Sequence, residues 1–535
     1  MKFITRLFSC FQMDLIGRIA FGSVMGLILL PVAEAKSWIF KGVPDPVEAS
    51  FVAENNGYVV LKGSNDTSFE IPLANFNKSD QRYIELLEAD DLKKVPISGV
   101  GEPVIRANDY QRKSTEKLYA QFIVPQATSE LHLTGTDDPL AGSTVNFTEP
   151  DGWVFLDRVP PSRVVEKYLD QFLVNGRLAK LDENVRVVAY GSGAVVIPHG
   201  PEFPALRVFS SESLSGESLP FKPYVKYGKA ELGTMADSAG SLILKRGYMA
   251  TLARNEDGTG GSVNYVAQDH DVVVKDLPKE LSEGINFVRV FPWRWTTKKG
   301  IAGGIHQNLK LGWFYDWNIG ARSSLDLEYV AIRQKKHWPG MDQDWKAKGI
   351  NHLLGFNEPD RPDQAKMTVD EAIQMWPVVL KTGLRVGSPA TSDGGIGWLY
   401  EFMDKADRDG LRVDFVAVHY YRAVADPGDE KAAAGQLRDF LQRIHDRVKR
   451  PLWVTEWNNG ANWTNAPDPN DRQQQAAVEA MIEMMDETPF VERYALYNWV
   501  EPSRELVRKD GSLSPAGEAY RDRDSPVFFV QPKNK

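Results

Sequence analysis

Apolar and polar positions change their rhythm twice along this chain. Over 284–522, apolar runs alternate with stretches of helical spacing, which predicts strands at 286–291, 311–316, 327–333, 350–356, 384–388, 413–419, 452–455 and 494–499. Helix-compatible segments fall between them, as at 369–381, 437–448 and 472–485. Strands and helices alternating in this way fit a (β/α)8 TIM barrel. Over 118–280 the runs are shorter and turn residues recur every ten or so positions, the texture of a β-sandwich or barrel. The clearest strands there are 193–197 and 241–248. Nearer the start, 49–53 and 58–62 alternate as strands about Asn55-Asn56-Gly57, 68–73 is a third strand, and the chain then enters a helix capped at Asn77 or Ser79. The charged segment 89–117, with Pro96, Gly99, Gly101 and Pro103, reads as a linker.

The first 35 positions follow a different logic. Lys2, Arg6 and Arg18 supply positive charge, 19–32 is apolar, and Ala33-Glu34-Ala35 fits a small-x-small cleavage site, with Met13 an alternative start. An apolar segment shorter than the roughly 20 residues of a spanning helix points to an export signal rather than an anchor. The expected location is periplasmic, cell-surface or secreted, with no integral span after cleavage.

At 535 residues the chain exceeds one core, so the expected order is a signal peptide (1–35), a small β module (36–88), the linker, a β-rich accessory domain (118–280) and the barrel (284–522). A net charge of −9 argues against nucleic acid and anionic membranes as partners. Cys10, the single cysteine, lies inside the presumed signal, which removes disulfide and thiol chemistry from the mature chain. No cluster with metal-ligand spacing and no phosphate-binding glycine loop is visible, so no metal or other cofactor is expected.

Two carboxylates change the picture. The strand at 350–356 stops at Asn357-Glu358-Pro359, and the strand at 452–455 delivers Glu456, followed by Trp457. Paired carboxyls at strand ends suit glycoside hydrolysis, in which one donates a proton to the leaving oxygen and the other attacks the anomeric carbon or activates water. The strand C-termini of the expected barrel also carry Trp293, Tyr315, Trp317, His419 with Tyr420 and Tyr421, and Trp499. These are candidates for sugar contacts, although core packing explains any single aromatic equally well.

With these residues in view, 284–520 resembles glycoside hydrolase family 128, the Asl-type catalytic core. The matching pieces occur in order: KKG at 298–300, LGWFYDW at 311–317, GFNEPD at 355–360, QAKMT at 364–368, GSPA at 387–390, VDFVAVHYY at 413–421, WVTE at 453–456 and DGSLSPAG at 510–517. Three positions depart from the family pattern: Asp316 stands for Asn, Tyr420 for Trp and Trp457 for Phe. The resemblance implies retaining cleavage of β-glucan, characteristically β-1,3-glucan. Glu358 is then the acid/base, with a raised pKa, and Glu456 the nucleophile held by Tyr420 or His419. Asn357 donates to the sugar 2-hydroxyl, and Trp293, Tyr315, Trp317, Trp457 and Trp499 line subsites. Lys298 and Lys299 read as solvated. A non-catalytic polysaccharide-binding surface protein and a glucan transglycosylase are the alternatives. The segment 36–88 resembles the Sla-one homology domain one, an SH3-like barrel. The stretch 244–262 is loosely similar to a βγ-crystallin Greek-key motif; some members of that family bind calcium, but the acidic positions here fit plain turn chemistry.

Overall fold

A computed structural model describes residues 36–38, 47–55, 57–63, 68–76, 80–81, 84, 105–106, 121–124, 130–134, 140, 144–147, 152–199, 204–305, 308–465 and 467–529. The expected signal at 1–35 and all of the expected linker except Ile105–Arg106 lie outside the described residues. Ile105–Arg106 is itself a strand, paired in parallel with Leu131 and His132.

The chain forms two compact units, 1–84 and 85–535. In the first, strands Lys36–Trp38, Val47–Asn55, Tyr58–Gly63 and Ser68–Pro72 form an antiparallel meander. The Trp38 indole donates to the Ala49 carbonyl at 2.7 Å, and its ring meets Phe76 edge-on at 5.5 Å. Gly57 closes the turn at φ +79°, donating its amide to the Glu54 carboxylate.

In the second unit, what the pattern presents as one accessory domain is two sandwiches. The first packs a four-stranded sheet on a five-stranded one around Leu133, Phe147, Leu156, Phe172 and Val196. The second packs two four-stranded sheets around Leu206, Phe221, Leu242, Tyr265 and Val288. Its last strand is Phe287–Pro292, antiparallel to Tyr248–Ala253. That strand corrects the expected first barrel strand at 286–291. Its Phe-Val-Arg-Val-Phe-Pro pattern, with half-exposed Arg289 in the middle, suits an antiparallel strand better than a parallel one buried on both faces. The crystallin-like loop is a hydrogen-bonded turn: Asp257 accepts from the Thr259 amide and hydroxyl and pairs with Lys381 at 3.3 Å.

The first barrel strand is Lys299–Ala302, and the others are Trp313–Tyr315, Glu328–Tyr329 continuing as Ala331–Ile332, His352–Leu354, Arg385–Val386, Val416–Tyr420, Leu452–Trp457 and Val491–Tyr497. All pair in parallel, and the eighth pairs with the first to close the ring. Single bridges from Gly387 to Phe415 and from Thr391 to Val418 join the fifth strand to the sixth. Helices Val369–Leu380, Ile396–Arg408, Glu430–Val448, Asp471–Glu487 and Pro515–Asp522 follow strands four to eight. Capping boxes at Thr368 and Asn470 start two of them. Among the described residues no helix separates the first three strands, and none is long and apolar enough to cross a membrane.

Lys298 and Lys299 are buried rather than solvated. Lys298 Nζ donates to the carbonyls of Met485, Asp486 and Thr488 at 2.8 to 3.0 Å, and Lys299 Nζ to those of Tyr520, Arg521 and Arg523. Each ammonium satisfies the orphan carbonyls that end one helix, where the helix dipole also favours a cation.

The strand-start end of the barrel is closed by buried charge. Glu328 accepts from Arg493 at 2.9 Å and Thr296 at 2.6 Å and lies 2.7 Å from His352, while Arg385 grips Glu492 with both terminal nitrogens. Trp293 covers this end, its ring 5.5 Å from His352 and 5.1 Å from Phe529. The expectation that Trp293 lines the mouth is therefore corrected: it leaves a sandwich strand and seals the opposite end.

Candidate active site

The fourth strand ends at Leu354, and the chain turns so sharply that Glu358 takes φ +42°, a left-handed conformation uncommon outside glycine. Its amide donates to the Ala390 carbonyl at 2.7 Å, and that of Asn357 to the Gln334 carbonyl at 3.0 Å. Loops on both sides thus hold the strained residue in place. Glu456 lies within the seventh strand, opposite His419 of the sixth, just past an irregularity in their register. Both glutamates are buried, and ligand atoms of Glu358, His419 and Glu456 all lie within 4.8 Å of one another.

Four rings converge on Glu456. Tyr315 donates to Oε1 at 3.0 Å, the Trp317 indole to Oε1 at 2.7 Å and Tyr421 to Oε2 at 2.6 Å, while His419 Nδ1 lies 3.5 Å from Oε2. Donors aimed at both oxygens hold this carboxyl group as a hydrogen-bond acceptor. By spacing, the three groups could ligate a cation. The converging N–H and O–H groups already supply the positive ends that a cation would.

Glu358 has a different environment. Its Oε1 lies 2.9 Å from His419 Nδ1, and its Oε2 lies 3.5 Å from Arg361. Burial raises the pKa of this carboxyl, but the hydrogen bond and charge of His419, with the charge of Arg361, outweigh it and hold it below the usual range. The raised value expected for Glu358 is therefore corrected for the resting site. His419 moves the other way: burial lowers its pKa, and the charges of Glu456 and Glu358 lift it above the ordinary value. The two shifts run in opposite directions, and both favour the proton on the imidazole over the carboxyl.

Side-chain alternation along a strand decides which aromatics face the site. In the sixth strand His419 points inward, Tyr420 packs outward on Phe440 at 5.2 Å, and Tyr421 returns to the centre. In the seventh, Trp457 points outward and packs on Tyr494 and Tyr520. Tyr420 and Trp457 are thus withdrawn as site residues, and Tyr421 takes the role expected of Tyr420. Asp316 is occupied by the Tyr329 hydroxyl at 2.5 Å. The Asn357 amide donates to Gln364 at 3.4 Å, and its buried Oδ1 has no partner.

Trp499 stands at the rim, packed on Trp317 and Tyr497 at 5.6 Å each. Tyr497 and Trp463 were missed. The Tyr497 ring lies 5.8 Å from Trp317 and 5.7 Å from Tyr421, and period-two spacing from Trp499 could have found it. Trp463 lies on a polar loop that gives no periodic signal, and its ring meets Tyr421 at 5.1 Å.

Residues 292–520 match the family described as glycosyl hydrolase catalytic core. A GH128 subgroup I endo-β-1,3-glucanase from Amycolatopsis mediterranei, solved with laminaritriose, is 32% identical, covering 42% of this chain and 98% of that one, with a TM-score of 0.37. A GH128 subgroup VII oligosaccharide-binding protein from Trichoderma gamsii is 23% identical, covering 42% of this chain and 93% of that one, with a TM-score of 0.34. The alkali-sensitive linkage protein 1 of Schizosaccharomyces pombe is 26% identical over 231 residues, and the match spans 40% of each chain.

Proposed function

The C-terminal part of this chain belongs to the GH128 glycosyl hydrolase catalytic cores, and from that premise we propose that the protein is an exported, retaining endo-β-1,3-glucanase. One observation carries the chemistry: an oxygen of Glu358 lies within 4.8 Å of an oxygen of Glu456. Retaining enzymes hold their carboxyl groups about 5 to 5.5 Å apart, whereas inverting ones leave room for water at roughly 6.5 to 9.5 Å.

Glu456, the carboxylate at the focus of the donors, attacks the anomeric carbon. Glu358 protonates the departing oxygen with the proton that it shares with His419, then accepts one from water as the glycosyl-enzyme is hydrolysed. Tyr315, Trp317 and Tyr421 fix the nucleophile's orientation before substrate arrives, so little reorganisation is left for the transition state. The side-chain amide of Asn357, next to Glu358, donates to the sugar 2-hydroxyl in place of its long contact with Gln364. The charged, apolar and small-residue segments of 1–35 support export.

The test is product analysis of the chain from residue 36 on laminarin, curdlan, lichenan, cellulose and mannan, with Glu456→Ala as control. Internal oligosaccharides from laminarin and curdlan, absent with the variant, are expected. Binding of these glucans with no release by the native protein would overturn hydrolysis, and transfer of glucosyl units mainly to sugar acceptors would make it a transglycosylase.

A further inference from the structure

Among the described residues the exposed tryptophans are Trp338, Trp463 and Trp499, and each lies on a loop that follows a barrel strand. Trp463 is 51% exposed, an unusual state for the largest apolar side chain. Its loop is nevertheless firmly built. The Thr464 amide and hydroxyl both donate to the Ala461 carbonyl, at 2.9 and 2.7 Å, closing a tight turn around Trp463. Beneath it the Arg504 Nε donates to the Asn459 carbonyl at 2.6 Å, and the Asn458 amide to the Tyr497 and Arg504 carbonyls at 2.9 and 3.1 Å. An anchored turn that holds a tryptophan half in water has the form of a rigid platform awaiting a flat partner.

The two rim tryptophans reach the nucleophile by separate routes. Trp499 packs on Trp317, which donates to Glu456 Oε1. Trp463 packs on Tyr421, which donates to Oε2. Tyr497 neighbours both, 5.6 Å from Trp499 and 6.5 Å from Trp463.

Resting on the proposed glucan cleft, we infer that Trp463 is a specificity-determining platform: it stacks a glucosyl ring on the Tyr421 side of the scissile bond, as Trp499 stacks one on the Trp317 side. A chain gripped on both flanks is cut at a position set by the balance of the two platforms. Weakening one lets the chain slide toward the other.

The experiment is digestion of laminarihexaose by the native protein, Trp463→Ala, Trp463→Phe and Trp499→Ala, reading KM and the distribution of products. Removing one aromatic stack is expected to raise KM about tenfold. Trp463→Ala and Trp499→Ala should shift the preferred cleavage position in opposite directions, and Trp463→Phe should restore most of the native pattern. Native KM and native products from Trp463→Ala, or shifts of the two alanine variants in the same direction, would overturn the inference. Failure of the native protein to cut laminarihexaose would count against the proposed activity instead. Calorimetric titration with the same sugar then decides the platform: an about tenfold weaker Kd for Trp463→Ala supports it, and an unchanged Kd removes it.

Discussion

Tyr421 donates its phenolic proton to Oε2 of Glu456 at 2.6 Å. A hydrogen bond to a charged group contributes about 1.5 to 3 kcal/mol. Tyr421→Phe should therefore lower kcat/KM about 10- to 100-fold on laminari-oligosaccharides while leaving the fold intact. Tyr420→Phe, one position earlier and facing the helix layer, should stay near native activity. Equal losses in steady-state assays of the two variants would show that the strand is not alternating as described.

If the proposed hydrolysis holds, the pair His419 and Glu358 should set the alkaline side of its pH profile. Against the opposing effect of burial, the carboxylates lift the His419 pKa, and His419 in turn keeps the Glu358 carboxyl low. Acid catalysis needs the one proton the pair shares, and it is lost as pH rises through the elevated value of the imidazole. The alkaline limb of kcat/KM should lie above about 6.5, the ordinary histidine value. In His419→Ala the proton can rest only on the carboxyl, which has then lost the partner that keeps its pKa low, so the limb should move; a limb that stays in place would remove His419 from the proton inventory.

Gly303 makes room for a platform. It sits at φ +98°, where only glycine is comfortable, and an added Cβ would fall inside the Trp499 ring. Gly303→Ala should raise KM as Trp499→Ala does, and the double variant should be no worse than the worse single one. Additive losses in a double-mutant cycle would mean that the two residues act separately.

Lys298 should matter to stability rather than to turnover. Replacement by Met leaves the carbonyls of Met485, Asp486 and Thr488 buried without their donor. Leaving buried acceptors unsatisfied costs about 1 to 3 kcal/mol for each group. A loss of this order in urea unfolding is expected for Lys298→Met, with native activity per folded molecule.

The paired glutamates were legible because a buried apolar run ending in a carboxylate, repeated once, is a pattern that the core alone has no reason to produce. The parallel strands showed for the same reason. The first one did not: Lys299–Ala302 contains a lysine and a glycine, and its character comes from partners far along the chain. Gly300 is there because the Trp313 ring lies where a Cβ would go, and Lys299 because a helix some 220 residues later ends beside it. Which aromatics face the cleft was readable from period-two alternation counted from His419 and Glu456, whereas proximity in sequence selected Tyr420 and Trp457. Trp463 could not be read, since nothing local marks an anchored turn.

Phe287–Pro292 completes a sheet of the second sandwich, and Trp293, the very next residue, seals the barrel. A cut between the two in this chain would expose either a sheet edge or the buried ion network. Trimming the chain to the barrel alone is therefore expected to strip a cover that the second sandwich provides.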